Sequence, residues 1–245
     1  MANTGAITDR QTRILKAIIE EYMERGQAVG SEALEKKYEL GVSPATVRNE
    51  MVRLTKSGFL KQPHASAGRV PTKEAFKFYV AQLMEEKQLS VADEVAAKEK
   101  VWDVRFDFDQ LMHQAVKALA ERTRSLALAS VKEGQIYHSG YANILQIPEF
   151  YDIDLTRSLL SLLEEAGEIQ RIFEKAIDEG PIHLLLGEEL GDFFEPCGLV
   201  FTNFEAGPKK SGYLGVIGAN RLNYPSIIPQ VRYFGNLIEE LGRNL

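Results

Sequence analysis

Five basic side chains but only one acidic side chain lie in the 32 residues from Gly41 to Thr72 of this 245-residue chain. Arg can bind guanine and Asn can bind adenine in bidentate fashion, and the methyl groups of Ala and Thr can contact thymine. Residues of these types follow a serine in one helical stretch, and the predicted groove-facing set is Ser43, Ala45, Thr46, Arg48, Asn49 and Arg53. Their spacing predicts recognition of base edges in a major groove, although a solvated helix face often holds the same residue types.

A second set of polar side chains follows in the segment LKQPHASAGRVPT. Lys61 supplies a positive charge, and His64 and Ser66 can bond phosphate oxygens. We expect Arg69 at the tip of a hairpin, where it can lie along the DNA backbone or enter a narrow, A·T-rich minor groove. For His64 alone, an ordinary exposed loop histidine is the simpler interpretation.

Local signals place both sets within a series of short helices. Thr8 with Gln11 three residues later predicts a capping box at the start of the first helix. Gly26 can end that helix in a left-handed conformation. Ser31 is predicted to cap the second helix. These signals put a longer first helix in front of a short helical pair.

The third helix carries the first set of polar residues. Ser43 and Pro44 are a favoured pair at the N-cap and first helical position, and Gly58 ends the helix. A strand, a polar turn and a returning strand follow, and Thr72 caps a fourth helix. The predicted apolar positions of the third and fourth helices are Val47, Met51, Leu54, Phe76, Tyr79, Val80 and Leu83. Two helices joined by a Gly-containing turn and followed by a hairpin predict a winged helix-turn-helix domain over residues 1–83.

The net charge of −6 hides an asymmetry along the chain. Residues 1–83 hold 13 Lys and Arg against 9 Asp and Glu, whereas residues 84–245 hold 16 against 26. A basic module attached to an acidic body indicates that the first part meets an anion, for which a polyphosphate backbone is the usual candidate. Chance fluctuation in a small domain is the alternative.

Composition narrows the class of protein. With 44% hydrophobic and 26% charged residues the chain is typical of a globular protein. The sequence has no apolar run long enough for a membrane span and no secretory signal. One Cys and four His predict neither a disulfide nor a metal site. We therefore expect a cytoplasmic protein without metal or cofactor.

The remainder of the chain has a different pattern. Residues 84–108 are rich in Glu, Lys and Ala and predict a linker or an exposed helix. Residues 109–245 alternate amphipathic helices with short apolar runs bounded by Gly and Pro, which indicates an α/β body. The strand pair around Gly134 and a closing helix after Pro225 are its clearest elements. The whole chain is predicted to be α+β.

Four segments resemble one known family. The runs SPATVRNEM and QPHASAGRVPT, together with Ile136–Phe150 and Gly212–Phe234, are similar to the bacterial heat-inducible transcription repressors of the HrcA family. The resemblance implies a winged-helix domain followed by a GAF-like α/β domain. It further implies a homodimer that binds an inverted-repeat operator upstream of chaperone genes, with activity supported by the chaperonin.

One departure from that family is visible in the sequence. Family members are typically longer, because a dimerisation domain is inserted into the GAF-like domain. Here the segment ending in SLALAS runs almost directly into VKEGQIYHSGYANIL. We expect that most of the insert is missing, that the chain still dimerises, and that residues 109–245 carry both regulation and dimerisation.

Two other functional classes remain open at this point. A metabolite-responsive regulator would bind a small ligand in the second domain, for example in a pocket lined by Tyr141, Phe201 and Tyr213. An enzyme is disfavoured because the usual catalytic motifs are missing, and Cys197, between Pro196 and Gly198, fits a buried small hydrophobe. We expect no catalytic residues.

Overall fold

The computed structural model describes residues 7–175 and 180–243. Contacts between residues divide the chain into two units, Met1–Glu85 and Glu86–Leu245. The first unit is mainly helical with a two-stranded hairpin, and the second is built around a five-stranded sheet. The predicted α+β organisation is therefore confirmed, and the more specific GAF-like assignment stays a prediction.

The first unit follows the order expected of a winged helix. Its elements are α1 (Asp9–Arg25), α2 (Ser31–Lys37), α3 (Pro44–Lys56), β1 (Leu60–Lys61), β2 (Val70–Pro71) and α4 (Lys73–Phe78), which continues as a π-helical turn over Tyr79–Leu83. The Thr8–Gln11 capping box starts α1 as predicted, and Gly26 ends it with a φ of 66°. Thr72 caps α4, because its side chain accepts the backbone N–H of Ala75.

The predicted cap of α2 is wrong by one residue. Ser31 is the first helical residue and is buried, whereas Gly30 occupies the N-cap position with extended backbone. Val29, just before it, exchanges two backbone hydrogen bonds with Arg69. Because this pairing keeps the chain extended through Val29, the helix begins only after Gly30.

The core of the first unit is formed by the apolar faces of its helices. Val47, Met51 and Leu54 of α3 are buried, as their spacing predicts. On and after α4, Phe76 and Tyr79 are buried but Val80 and Leu83 are only partly covered. Packing of α3 against α1 and α2 leaves its opposite face in solvent.

The second unit contains one antiparallel sheet in the order β4-β3-β7-β6-β5. Its strands are β3 (Leu126–Val131), β4 (Ile136–Ser139), β5 (His183–Leu186), β6 (Cys197–Glu205) and β7 (Ser211–Ala219). Its helices are α5 (Val91–Trp102), α6 (Phe108–Thr123), α7 (Tyr141–Ile144), α8 (Ile153–Glu164), α9 (Ala166–Phe173) and α10 (Tyr224–Gly242). The stretch predicted as a linker or exposed helix contains α5, in which Ala97 and Val101 are buried.

Both faces of this sheet are covered by helices. Alternating strand residues such as Leu128, Phe201 and Ile217 join α8 and α9 in one apolar cluster. On the other face α10 approaches β6 so closely that a Cβ at Gly235 would lie 2.6 Å from the Thr202 methyl group. The sheet is thus the buried middle layer of the unit.

The strand pair around Gly134 is confirmed as a tight hairpin between β3 and β4. Ser130 pairs with Ile136, and the amide of Gly134 donates to the carbonyl of Val131 at 2.9 Å. Gly134 has a φ of 92°, a backbone conformation that favours glycine. Four residues therefore close the connection at the place where the sequence led us to expect a missing insert.

Candidate nucleic-acid interface

Helix α3 begins as its sequence predicts. The Ser43 hydroxyl accepts the backbone N–H of Thr46 at 3.3 Å and lies 3.1 Å from the Thr46 hydroxyl. Pro44 occupies the first turn, where its missing N–H has no consequence. Ser43 thus fixes the start of the helix, and its exposed side chain is engaged in the cap.

One face of α3 is open to solvent. Ala45, Arg48 and Asn49 are exposed, Thr46 is half-buried, and Val52 is 38% exposed. They lie opposite the buried side chains of the same helix. The structure therefore brings the predicted base-reading residues together on one accessible surface.

Arg53 is exposed but not isolated. Its Nη1 donates to the two carboxylate oxygens of Glu50 at 3.2 and 3.4 Å. Glu50 is only 4% exposed and also accepts from Nε2 of Gln11 at 3.1 Å, while Nη1 of Arg10 lies 3.8 Å away. This network, which ties the start of α1 to α3, was missed in the sequence, where Glu50 stands out only as the single acid between Gly41 and Thr72.

The wing is the segment from β1 to β2, Leu60–Pro71. Its strands pair antiparallel, with Lys61 opposite Val70. Nε2 of Gln62 donates to the carbonyls of Ala65 and Ala67 at 2.9 and 3.0 Å and so closes the loop. The sequence pattern did not single out Gln62, because a side chain that bonds its own loop has no spacing signal.

His64 and Ser66 lie at the exposed tip of the wing. Nδ1 of His64 and the Ser66 hydroxyl are 3.2 Å apart, and the amide of Ala67 donates to the His64 carbonyl at 2.9 Å. Both side chains remain accessible to an incoming anion. Lys61 is exposed on β1, closer to the base of the wing.

The prediction that Arg69 forms the wing tip is wrong. Its backbone exchanges hydrogen bonds of 2.8 and 2.9 Å with Val29, which makes Val29 a third, single-residue strand beside the wing. Its Nε donates to the Thr55 hydroxyl of α3 at 3.1 Å, so the half-buried side chain points back toward the helix. A Cβ at Gly68 would lie 2.3 Å from the Val29 carbonyl oxygen, so this close approach requires glycine.

An open cleft of about 400 Å³ lies between α3 and the wing. Arg48 and Val52 line it on the helix side, and Gln62, Ser66 and Gly68 line it on the wing side. Arg69 lies at its wall and connects the two sides through Thr55. The concave surface carries donors and positive charge beside exposed methyl groups, which is the chemistry that a nucleic-acid groove and its phosphates require.

The aromatic pocket predicted in the second unit does not form. Phe201 and Tyr213 are 6.0 Å apart between ring centroids and pack with Phe173 in the core. Tyr141 instead bonds His138 beside β4, and β3 and β7 lie between β4 and the strand that holds Phe201. Strand order, which the sequence did not reveal, separates these side chains.

In the described part of the second unit, neither Cys197 nor the apolar cavity offers a reactive site. Burial raises the pKa of the Cys197 thiol to about 12, which makes it inert. The apolar cavity below α8 and α9 has about 10 Å³, the room that one water needs. Within residues 7–175 and 180–243 no group of three or more His, Cys, Asp or Glu side chains could hold a metal ion, and no helix is long and apolar enough to cross a membrane.

Two family descriptions match this chain. "Winged helix-turn-helix transcription repressor, HrcA DNA-binding" matches residues 6–85, and "HrcA protein C terminal domain" matches residues 46–228. Together they cover the winged unit and most of the sheet-containing unit.

Curated relatives carry the same family name. The heat-inducible transcription repressor HrcA of Desulforamulus reducens is 26% identical over 338 residues, covering 97% of this chain and 95% of the relative. That of Thermobifida fusca is 36% identical over 167 residues, covering 68% of this chain and 47% of the relative. Because the first alignment is longer than this 245-residue chain, the relative contains residues without a counterpart here.

A solved structure shows the same fold. The crystal structure of a hypothetical protein superimposes with a TM-score of 0.81 at 19% identity, covering 97% of this chain and 99% of the other. From the family matches along both units, the relatives and the winged helix itself, we conclude that this chain is a member of the HrcA family, in a shortened form.

Proposed function

We propose that this protein is a DNA-binding transcription repressor of heat-shock chaperone genes. The observation that supports this most directly is the exposed Arg48 and Asn49 face of α3 beside the wing, in the basic unit of an otherwise acidic chain. Relatives that match nearly the whole chain are named heat-inducible transcription repressors. A helix of this kind enters the major groove with its N-terminal half at the bases.

The side chains divide into three roles. Arg48 and Asn49 read base edges, with methyl contacts from Ala45 and Thr46. Phosphate contacts come from Ser43 at the helix start, Arg53, Lys61, His64 and Ser66. Arg69 remains in the proposed DNA-binding set at the wall of the cleft, and its bond to Thr55 connects the wing with α3.

The operator is proposed to be an inverted repeat bound by a homodimer. Two identical winged helices related by a two-fold axis require two DNA half-sites that are related by the same two-fold axis. We further propose a cytoplasmic location and an activity supported by the chaperonin, as the family resemblance implies. The repressor needs no catalytic residue and no cofactor.

Footprinting on the chaperone promoters of the source organism tests this function, at stated salt and with and without chaperonin. We expect protection of an inverted repeat, stronger when chaperonin is present. Arg48→Ala should weaken operator binding by about 1–3 kcal/mol and relax base preference at one position of each half-site. Arg157→Ala, an exposed arginine on α8, is the control. Equal binding of operator and random duplex by the wild-type protein would contradict the proposal.

A further inference from the structure

Helix α5 has two apolar faces, of which only one is covered. Ala97 and Val101 are buried, and the helix packs on α6. Val91, Val95 and Trp102 lie on another face and are 77%, 50% and 44% exposed, and Phe106 just beyond the helix is 74% exposed. Spacings of four and seven residues align them in one row. We call Val91, Val95, Trp102 and Phe106 the α5 stripe.

Cations order the aromatic end of the α5 stripe. The Arg105 guanidinium lies 4.2 Å from the Trp102 ring centroid and 4.1 Å from that of Phe106. Nη1 of Arg105 also donates to the Trp102 carbonyl at 2.6 Å, and Nζ of Lys98 lies 5.5 Å from the same indole. Rings that are already oriented lose little freedom on binding, and aromatic residues with Arg are enriched in protein interfaces.

We propose that the α5 stripe is a homodimer interface, in which it packs antiparallel against the same stripe of a second copy. This places dimerisation before residues 109–245, the range expected from the sequence. This inference rests on the proposed function, because an inverted repeat requires two copies. In an antiparallel pair the Val91 end of one helix meets the Phe106 end of the other, so small aliphatic side chains oppose large aromatic ones. A two-fold axis makes the contact self-complementary.

The charges along α5 favour a second copy in this orientation. Its first turn carries Asp93 and Glu94, of which Asp93 is paired with Arg122 at 3.0 Å. The far end holds the C-cap residue Asp103 and Arg105, of which Arg105 lies beside the stripe, whereas Lys98, Glu99 and Lys100 lie between the two ends. Antiparallel packing puts Glu94 near Arg105 of the other copy and aligns the helix dipoles favourably. Parallel packing would place like charges together.

Sedimentation of the full-length protein across a concentration series tests the interface. We expect wild type to sediment as a dimer and Val95→Lys to raise the dimer dissociation constant by at least about tenfold, since an unpaired ammonium would be buried. Phe106→Lys, beyond the end of α5, should raise the dimer dissociation constant in the same way. It replaces Val95→Lys in the test if circular dichroism shows that Val95→Lys is unfolded. Ile153→Lys on α8, where Ile153 is 66% exposed, is the matched control and should stay dimeric.

Charge reversal tests the orientation. Glu94→Lys alone and Arg105→Glu alone should each weaken the dimer, and the double variant should recover most of the loss. A monomeric wild type, stripe variants that stay dimeric, or a dimer disrupted by Ile153→Lys alone would overturn the proposal. So would a double variant weaker than both single variants.

DNA binding separates this inference from the function on which it rests. A monomeric Val95→Lys protein should still bind a half-site duplex like wild type but lose the gain from a second half-site. If wild type binds no operator and Val95→Lys still dissociates a dimer, the proposed function fails and the interface stands. If wild type binds operator and Val95→Lys remains dimeric, the interface fails and the function stands.

Discussion

The side chains that the sequence singles out are exposed to solvent in the first unit and packed in the core in the second unit. In the first unit, Arg48 and Asn49 project into solvent from a helix whose other face is core. In the second unit, Phe201 and Tyr213 of the sheet pack against Phe173 of α9. Substitutions on the first surface should therefore change binding with little change in stability, and substitutions in the second cluster should do the reverse.

Both units contain a carboxylate that joins distant segments, fully buried at Glu50 and partly buried at Glu149 and Glu86. In the first unit Glu50 connects α1 with α3. In the second, Glu149 is held by Arg221 at 2.6 and 2.9 Å, and Glu86 by Arg232 at 2.7 Å through both nitrogens. The arginines that bind these carboxylates differ in their location. Of Arg53, Arg221 and Arg232, only Arg53 lies on the proposed DNA surface.

The largest effect is expected in the core of the second unit. Phe201→Ala should lower the free energy of unfolding by about 3–5 kcal/mol, because Phe201 is fully buried against Phe173 and His183. Urea denaturation of the full chain measures this. Phe193→Ala, where Phe193 is 76% exposed, should change stability by less than about 0.5 kcal/mol. Equal effects would remove the contrast between core and surface.

A substitution at Glu50 should move stability and DNA affinity in opposite directions. Glu50→Gln should destabilise the protein by about 1–2 kcal/mol, because hydrogen bonds to a charged acceptor are lost. Non-specific duplex binding should rise, since a negative charge beside Arg53 is removed. Denaturation and fluorescence anisotropy measure the two quantities, with exposed Glu74→Gln as the control. A fall in non-specific affinity would show that Glu50 positions Arg53 for phosphate instead of competing for it.

Lys61→Ala should weaken DNA binding without regard to sequence. We expect weaker binding of operator and random duplex by the same factor, and a salt slope reduced by about 0.9, the value for one phosphate contact. Lys117→Ala, an exposed lysine on α6, should leave the slope unchanged. A change confined to operator DNA would assign Lys61 to base recognition.

The smallest effect concerns pH. Hydrogen bonds from Arg232 hold the pKa of Glu86 below its ordinary value of 4.5. The folded state therefore binds this proton more weakly than the unfolded state, so the pair stabilises the protein above pH 4.5 and the contribution is lost as pH falls through the lowered pKa. Arg232→Gln should reduce stability at pH 7 by under about 1 kcal/mol, since the pair is partly exposed and screened.

Denaturation between about pH 5 and pH 3 checks this assignment. The difference between wild type and Arg232→Gln should shrink as the pH falls through this window. A constant difference would mean that Arg232 stabilises the unit by packing and not by its charge.

Local features of the first unit were predictable because they depend on residues a few positions apart. The Thr8 capping box, the Ser43 cap and the buried row of α3 all follow from spacing within one or two helical turns. The Ser31 cap failed because Val29 is bound by Arg69, 40 positions later in the chain. Sequence patterns within a few positions cannot reveal a hydrogen-bond partner so far along the chain.

The winged helix, the exposed Arg48 and Asn49 face and the hairpin at Gly134 could be predicted from the sequence, since helix periodicity and turn residues are local properties. Three features became visible only in the folded chain: Arg69 turns back to Thr55, Glu50 binds Arg53, and two strands separate Tyr141 from Phe201. These contacts depend on which distant segments pack together. That packing results from the combined burial of residues throughout the core, so no single segment predicts it.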